Sequence, residues 1–537
     1  MKYVIKSFNA LLLTLLLLAG GGCNKQLEEV PYSFLSPANF YKNETDAIAA
    51  INGVYNELYS FNLFIQPFWN LTLLDDDHVS GVDWFLGSSG VGNPQGFWGV
   101  DGPWTGCYTI ISRANTVLEN VVNITDIDPV IKERVLGEAY FLRGWSYFQL
   151  VRLYGGVPLR LQSLSVDANS NVPRASVAEV YAAIISDLKN AEEKLLPASD
   201  PKSGEVGRVN RYVAKATLAK VYLTMASGAM KGVQIKVRGG NDNGFYFHQN
   251  RQVTGHEEFN STEYFTLARD KALEVINSNE YSLFTNWKDL WTRENRNKTE
   301  HMWELQSLAG TVFTNDMHSY FNAESLFGMG AVWMTNNHYK NYEENDTRVV
   351  DGVWHNYMAY GTNLFYPSWQ ADKYQVVNGV TYINDGNSHD KAFTIKYKDV
   401  ADFSSSRSDA FYPLLRYAEV LLIYSEAENE INAASPEAYA KLNQVRNRAK
   451  ASNAPQGMSK DDFRSFVLEE RAREFALENS IRHFDLKRWG IYLPVMNQIT
   501  VQQNSISKLR AERNLLLPIP QSELNTNQAI ADNNPGW

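Results

Sequence analysis

The residue with the most definite chemistry is Cys23. Gly20, Gly21 and Gly22 precede it directly, Lys2 and Lys6 give a cationic start, and a leucine-rich run extends from Ala10 to Ala19. Such an order of charge, apolar core and small residues is a secretory signal. The apolar run is too short to span a bilayer, which takes about 20 residues. Small side chains before a cysteine also suit a lipoprotein peptidase, because only they let the backbone into its active site. The expectation is that residues 1–22 are removed and that the Cys23 thiol is acylated, several fatty chains giving stable anchoring.

Other chemistry-bearing residues are less specific. The carboxylate run Asp75-Asp76-Asp77 reads as a solvated turn or cap, not a catalytic pair. Asp167, Asn169 and Asn171 begin like a calcium loop, but Val172 stands where that loop needs glycine and Ala178 where it needs glutamate. Among the nine histidines there is no HExxH pair, and there is no CxxC, so no metal site is expected. Glu470, Arg471, Arg473, Glu474, Arg482, Asp485 and Arg488 are crowded enough to imitate a catalytic cluster. Their better reading is an ion-pair network joining helices, since buried charges are tolerated only in pairs. With no phosphate loop or nucleophile elbow either, no catalytic residue, cofactor or enzymatic activity is expected.

Helices must position whatever site exists. Ser36-Pro37 is read as a cap and first-turn proline opening a helix with Ile48, Ile51, Val54, Tyr55 and Leu58 on one face. A second stretch carries Val135, Ala139, Leu142, Ser146, Leu150 and Leu153 and stops at Gly155-Gly156. Ser176 and Glu179 form a capping box for the helix of Val177, Tyr181, Ile184, Leu188 and Leu195. Further helices are predicted from Arg211 to about Met225 and from Tyr264 to Ile276, and again near Tyr417–Ile431, from Ser435-Pro436, and around Phe463–Val467. Short links between them favour antiparallel pairs, although no clean repeat consensus is present. Residues 61–106 and 281–413 break the pattern and are too aromatic to be disordered.

Composition narrows the partners. Fifty Lys and Arg stand against 60 Asp and Glu, a net charge of -10 without a basic stripe, so nucleic acid is not expected to bind. The chain has two cysteines, and a lipidated Cys23 leaves Cys107 without a disulfide partner. It also has 13 Trp, 29 Tyr and 26 Phe, more than a core alone requires, so where they lie matters.

Trp104 to Asn115, Glu138 to Trp145 continuing to Leu159, Arg416 to Ala427, Leu442 to Arg446, Glu470 to Trp489, and Leu517 to Trp537 form a series of blocks. In this order they resemble the SusD/RagB family of Bacteroidetes outer-membrane lipoproteins. The resemblance implies a mostly helical fold, a tetratricopeptide-like scaffold of helix pairs carrying an irregular ligand-binding part. It divides the chain into signal (1–22), anchor and tether (23–36), an N-terminal helical region (37–280) and a C-terminal region (281–537), loop-rich to 413 and helical beyond. It implies a surface protein that binds glycans and delivers them to a SusC-like TonB-dependent transporter, or, as in a RagB-like minority, one that binds peptides. A helical scaffold without a ligand of its own is the third reading.

In the family the ligand face lies in the irregular segments. A sugar presents an apolar C–H face that packs on a flat ring, and hydroxyls that need carboxylates or amides. Asp83, Trp84, Asn93 and Trp98 sit among glycines at 81, 87, 90, 92, 96 and 99, a spacing that leaves rings with little local packing. Trp291 and Trp333 are the expected second contribution, each beside polar residues.

Overall fold

The computed structural model describes residues 40–537 apart from 88, 327, 385, 387, 388 and 501–507. The signal, Cys23, the tether and the Ser36-Pro37 cap lie outside the described residues. The first helix, α1 (Glu44–Tyr55), starts from an Asn43 cap whose side chain accepts from the Asp46 amide.

The helices form the expected pairs. They are α2 (Gly102–Val121), α3 (Pro129–Tyr154), α4 (Val177–Lys194), α5 (Arg211–Ala229) and α6 (Ser261–Ser278). Past the loop-rich segment come α7 (Tyr417–Asn432), α8 (Pro436–Arg448), α9 (Lys460–Glu474) and α10 (Ile481–Arg488). From α2 onward each packs on the next through α8, α7 also meets α9, and α9 meets α10. Local rules set their ends. Asp128 caps α3, Gly155 stops it with φ +74°, and the Ser176–Glu179 capping box opens α4. The contact of α6 with α7 closes the scaffold across about 140 intervening residues, so the loop-rich segment is mounted on a continuous stack.

Short antiparallel strands fix that mounting. Strand β4 (His301–Leu305) pairs with β8 (Tyr412–Arg416), joining the two ends of the segment. Strand β1 (Val79–Gly81) pairs with β5 (Val332–Met334), tying the first irregular stretch to the second. The hairpin β2–β3 (Gln234–Gly239, Gly244–Gln249) lies on α9, and β6–β7 (Asn356–Ala359, Thr362–Phe365) sits within the long segment.

The charged residues near the C-terminus are a buried network, as their pairing logic required. Glu474 accepts from Arg348, Arg416 and Arg448, and Glu470 from Arg348, Arg446 and Arg473. Glu300 meets Arg416 and Arg448, and Glu478 meets Arg416 and Lys396. Glu300, Asp346, Arg348 and Lys396 come from the loop-rich segment and the rest from the helical region, so ion pairs bolt one to the other.

The run at 75–77 is not the solvated turn expected from sequence. All three carboxylates are buried, because each has cationic or amide partners folded over it. Arg482 grips Asp77 through two nitrogens at 2.8–2.9 Å, and Asp75 accepts from Arg510 and the Tyr492 hydroxyl. Burial would raise the Asp75 pKa, but Arg510 and His483 bring it down to about 2. Cys107 is a buried, unbridged thiol.

Candidate ligand-binding face

Trp84 and Trp98 reach the surface, at 66% and 65% exposure, through two different local devices. Trp84 lies on the helical turn Asp83–Leu86 that directly follows β1. A Cβ on Gly81 would stand 2.4 Å from the Ala331 carbonyl oxygen, so only glycine lets β1 approach β5 there. The Val82 amide then donates to that same carbonyl at 2.9 Å, and buried Leu86 pins the far end of the turn. Trp84 is left facing outward, with Phe85 beside it at 5.6 Å between ring centroids.

Trp98 owes its position to its neighbours. A Cβ on Gly99 would collide with the Phe97 ring and with Pro67, so the glycine lets Phe97 fold inward. Phe97 is half-buried while Trp98 projects out and meets half-exposed Phe61 edge-on at 6.5 Å. Arg407 lies over Phe61, 4.2 Å from its ring centroid.

The Arg407 charge relates the two ends. It acts on both Asp316 and Tyr320, and Tyr320 stacks on Phe85 at 4.2 Å and 16°. Two groups of rings result, Trp98–Phe61 under Arg407 and Tyr320–Phe85–Trp84, with the Arg407 charge acting from the first group on the second. Tyr360, on the β6–β7 turn and 72% exposed, packs against Gly328 in the loop that leads from Tyr320 to β5. Burial pushes the Asp316 carboxyl well above its usual range, and the Arg407 charge partly opposes this. Asp83 is exposed beside Trp84. Asn93 is exposed on the next loop, which the C-terminal segment holds through Arg510 to the Gly90 carbonyl and Asn514 to the Gly92 carbonyl.

Trp291 and Trp333 are not available as platforms. Trp291 is 2% exposed, set between Trp287 and Phe411 under the Lys396 ammonium. Trp333 is fully buried on β5, with Phe393 edge-on and Lys391 over its ring. Their polar sequence neighbours were misleading for a physical reason. Arg293, Glu294 and Asn295 form a separate helical turn, and both faces of β5 are covered, so strand alternation exposes neither side. Phe61, Tyr320 and Arg407 take the vacant roles on this face, and no sequence signal marks them, since each arrives from a distant part of the chain.

What this face can do is hold a flat, apolar-faced, hydroxyl-rich molecule along several rings, with Arg407, Asp83 and the Tyr320 hydroxyl at its edges. Among the described residues no helix is long and apolar enough to cross a membrane.

Comparison with known proteins agrees with the architecture. Residues 272–537 match the model described as SusD family, and residues 100–223 match one described as starch-binding, associating with the outer membrane. The chain is 28% identical to SusD-like protein P2 of Formosa agariphila over the whole length of both, and 25% identical to a SusD-like protein of Bacteroides ovatus, covering 92% of this chain and 84% of that one. A SusD homologue of Bacteroides thetaiotaomicron superposes with a TM-score of 0.71 at 21% identity, over 93% of this chain and 98% of that one. Surface glycan-binding protein A of Bacteroides fluxus superposes at 0.66 and 19% identity, over 92% of this chain and all of the other. With the same blocks in the same order on the same helical stack, this chain belongs to the SusD/RagB family.

Proposed function

We propose that this protein captures oligosaccharide or polysaccharide on the ring groups of Trp98 and Trp84 and passes it to a SusC-like TonB-dependent transporter. The observation that carries the reading is the exposure of Trp84 and Trp98 on glycine-permitted turns, grouped with Phe61, Arg407, Tyr320 and Phe85. Two large indoles held in water give up burial energy unless something covers them. Family membership supports a carbohydrate ligand, and the relatives include one named for surface glycan binding. No catalytic step is assigned: binding, orientation and release account for the residues on this face. Cys23 is the proposed lipid anchor and residues 24–36 the tether, which would let the body open and close over its transporter. A peptide ligand is the competing reading, and it calls for a groove of backbone-reaching polar groups in place of exposed indoles.

Isothermal titration against a panel of polysaccharides and peptides tests the assignment. Saturable glycan binding that weakens in Trp98→Ala supports it. Tight peptide binding with no response to any glycan overturns it.

A further inference from the structure

A second place in the molecule is built to hold a ligand, independently of the glycan reading. Between α3, α5 and the β4–β8 pair lies a cavity walled by Phe68, Phe148, Leu414 and Leu415, with room for water-sized guests. Its polar lining brings the donors Trp145, Trp303, Arg152 and Lys220 together beside Gln149, Thr217 and Asn479. Trp145 and Trp303, edge-on at 5.6 Å, both line it, and neither indole N–H donates to a described residue. Arg152 lines it too, sandwiched at 4.2 Å over Phe148 and 3.7 Å over Phe484. The Arg152 guanidinium donates to the Gln149 side-chain oxygen and weakly to the Phe148 carbonyl, and no carboxylate of a described residue lies within ion-pair distance of it.

Charge balance around the cavity sharpens the point. Lys220, also in the lining, is paired with Glu419 at 2.9 Å. Glu419 is shared with Arg471, which also holds Asp485, and Arg488 takes Asp485 and Glu426. The cluster therefore has four cations (Arg152, Lys220, Arg471 and Arg488) against three carboxylates (Glu419, Glu426 and Asp485). The Arg471 Nη1 is buried and also lacks a hydrogen-bond partner. A buried guanidinium with no carboxylate in contact is costly, and burial lowers the Arg152 pKa to about 10 although Glu419 and Asp485 act from a distance to raise it. Water can accept from these donors but cannot supply the missing charge.

We propose that this cavity binds one small monovalent anion of halide size as the counter-ion of Arg152, received by the indole N–H groups of Trp145 and Trp303. The ion would link α3 to the strand pair on which the loop-rich segment is mounted. Its contribution is therefore to the stiffness of the mounting.

Bromide is the probe. Crystals of the full chain grown in sodium bromide are expected to show an anomalous peak within hydrogen-bond reach of Arg152 and the two indoles. The melting temperature is expected to rise by about 1–2 °C in sodium bromide over sodium gluconate at equal ionic strength, growing with the logarithm of bromide concentration. Arg152→Met abolishes that anion dependence. Should this variant fail to fold, the wild-type peak and salt comparison decide by themselves. Absence of the peak, or equal melting in the two salts, overturns the assignment.

Discussion

Replacing Glu474 by glutamine probes how the ligand-bearing segment is held. The wild-type network contains six cations, Arg348, Arg416, Arg446, Arg448, Arg473 and Lys396, and six carboxylates, Glu300, Glu343, Asp346, Glu470, Glu474 and Glu478. Glu474→Gln leaves six cations facing five carboxylates in a region where every Glu474 partner is buried. Arg448, held by Glu474 at 2.5 Å, keeps only Glu300 at 2.7 Å, whereas Arg416 keeps Glu300 and Glu478. An uncompensated buried charge costs about 3–5 kcal/mol, and relaxation around Arg448 places the expected loss near ~3 kcal/mol. Urea unfolding at pH 7 measures this as a fall in midpoint at constant slope. The same carboxylate carries a pH signature. Burial works to raise its pKa, but Arg448, Arg416 and Arg348 bring it below the ordinary value. A group with a depressed folded pKa stabilises above its unfolded value of about 4.5 and loses that stabilisation as pH falls. The gap between wild type and variant is therefore expected to be full at pH 7 and to narrow below about 4.5. A variant within ~0.5 kcal/mol of wild type at pH 7 would refute the view that these charges bolt the segment to the helices, since that is the range of an ordinary surface change.

Glu304 should behave in the opposite sense. Burial lifts its pKa to about 8, so the folded protein holds a proton that the unfolded chain releases above about 4.5. Its contribution therefore declines as pH rises from 6 to 8, by up to ~1.4 kcal/mol per unit, and Glu304→Gln flattens that decline in chemical denaturation. Gly81→Ala places a methyl 2.4 Å from the Ala331 oxygen, and it should cost about 1–3 kcal/mol while weakening ligand binding through the displaced Trp84 turn. Trp333→Ala empties a core position and is expected to lose about 3–5 kcal/mol of stability in thermal or urea unfolding. In the folded fraction it should leave ligand affinity unchanged. Cys23→Ala should move the protein from the membrane fraction to the soluble one with ligand affinity intact, checked by fractionation and titration.

The scaffold was legible because helices are local objects. The Ser176–Glu179 box, the Gly155 stop and the apolar stripes each report on neighbours within a few turns. Boundaries slipped by a few residues, as at Arg211, whose helix runs to Ala229 and not Met225, and at Tyr264, whose helix starts earlier, at Ser261 on an Asn260 cap. The site was legible in part. Glycines around Trp84 and Trp98 are local signals of loop backbone, and both rings are exposed. Trp291 and Trp333 misled because burial is set by partners such as Phe411 and Phe393, far away in sequence. The same long-range closure hid the buried fate of Asp75–Asp77, whose partners Arg482 and Arg510 lie more than 400 residues later. Pairing of residue 79 with 334 has no local signature at all.

The central claim is that the exposed rings are the ligand platform, and a double substitution tests it most directly. Covering about half of the exposed face of each indole, ~80 Å², at ~25 cal/mol per Å² is worth ~2 kcal/mol, or about thirtyfold in Kd per ring. Titration of the best-binding glycan into wild type, Trp84→Ala, Trp98→Ala and the double variant is the measurement. The expected result is a loss of tenfold or more in each single variant and no measurable binding in the double variant, with melting temperatures unchanged because both side chains sit in water. Equal affinity in the wild type and the double variant would contradict the account and place the glycan elsewhere on the molecule.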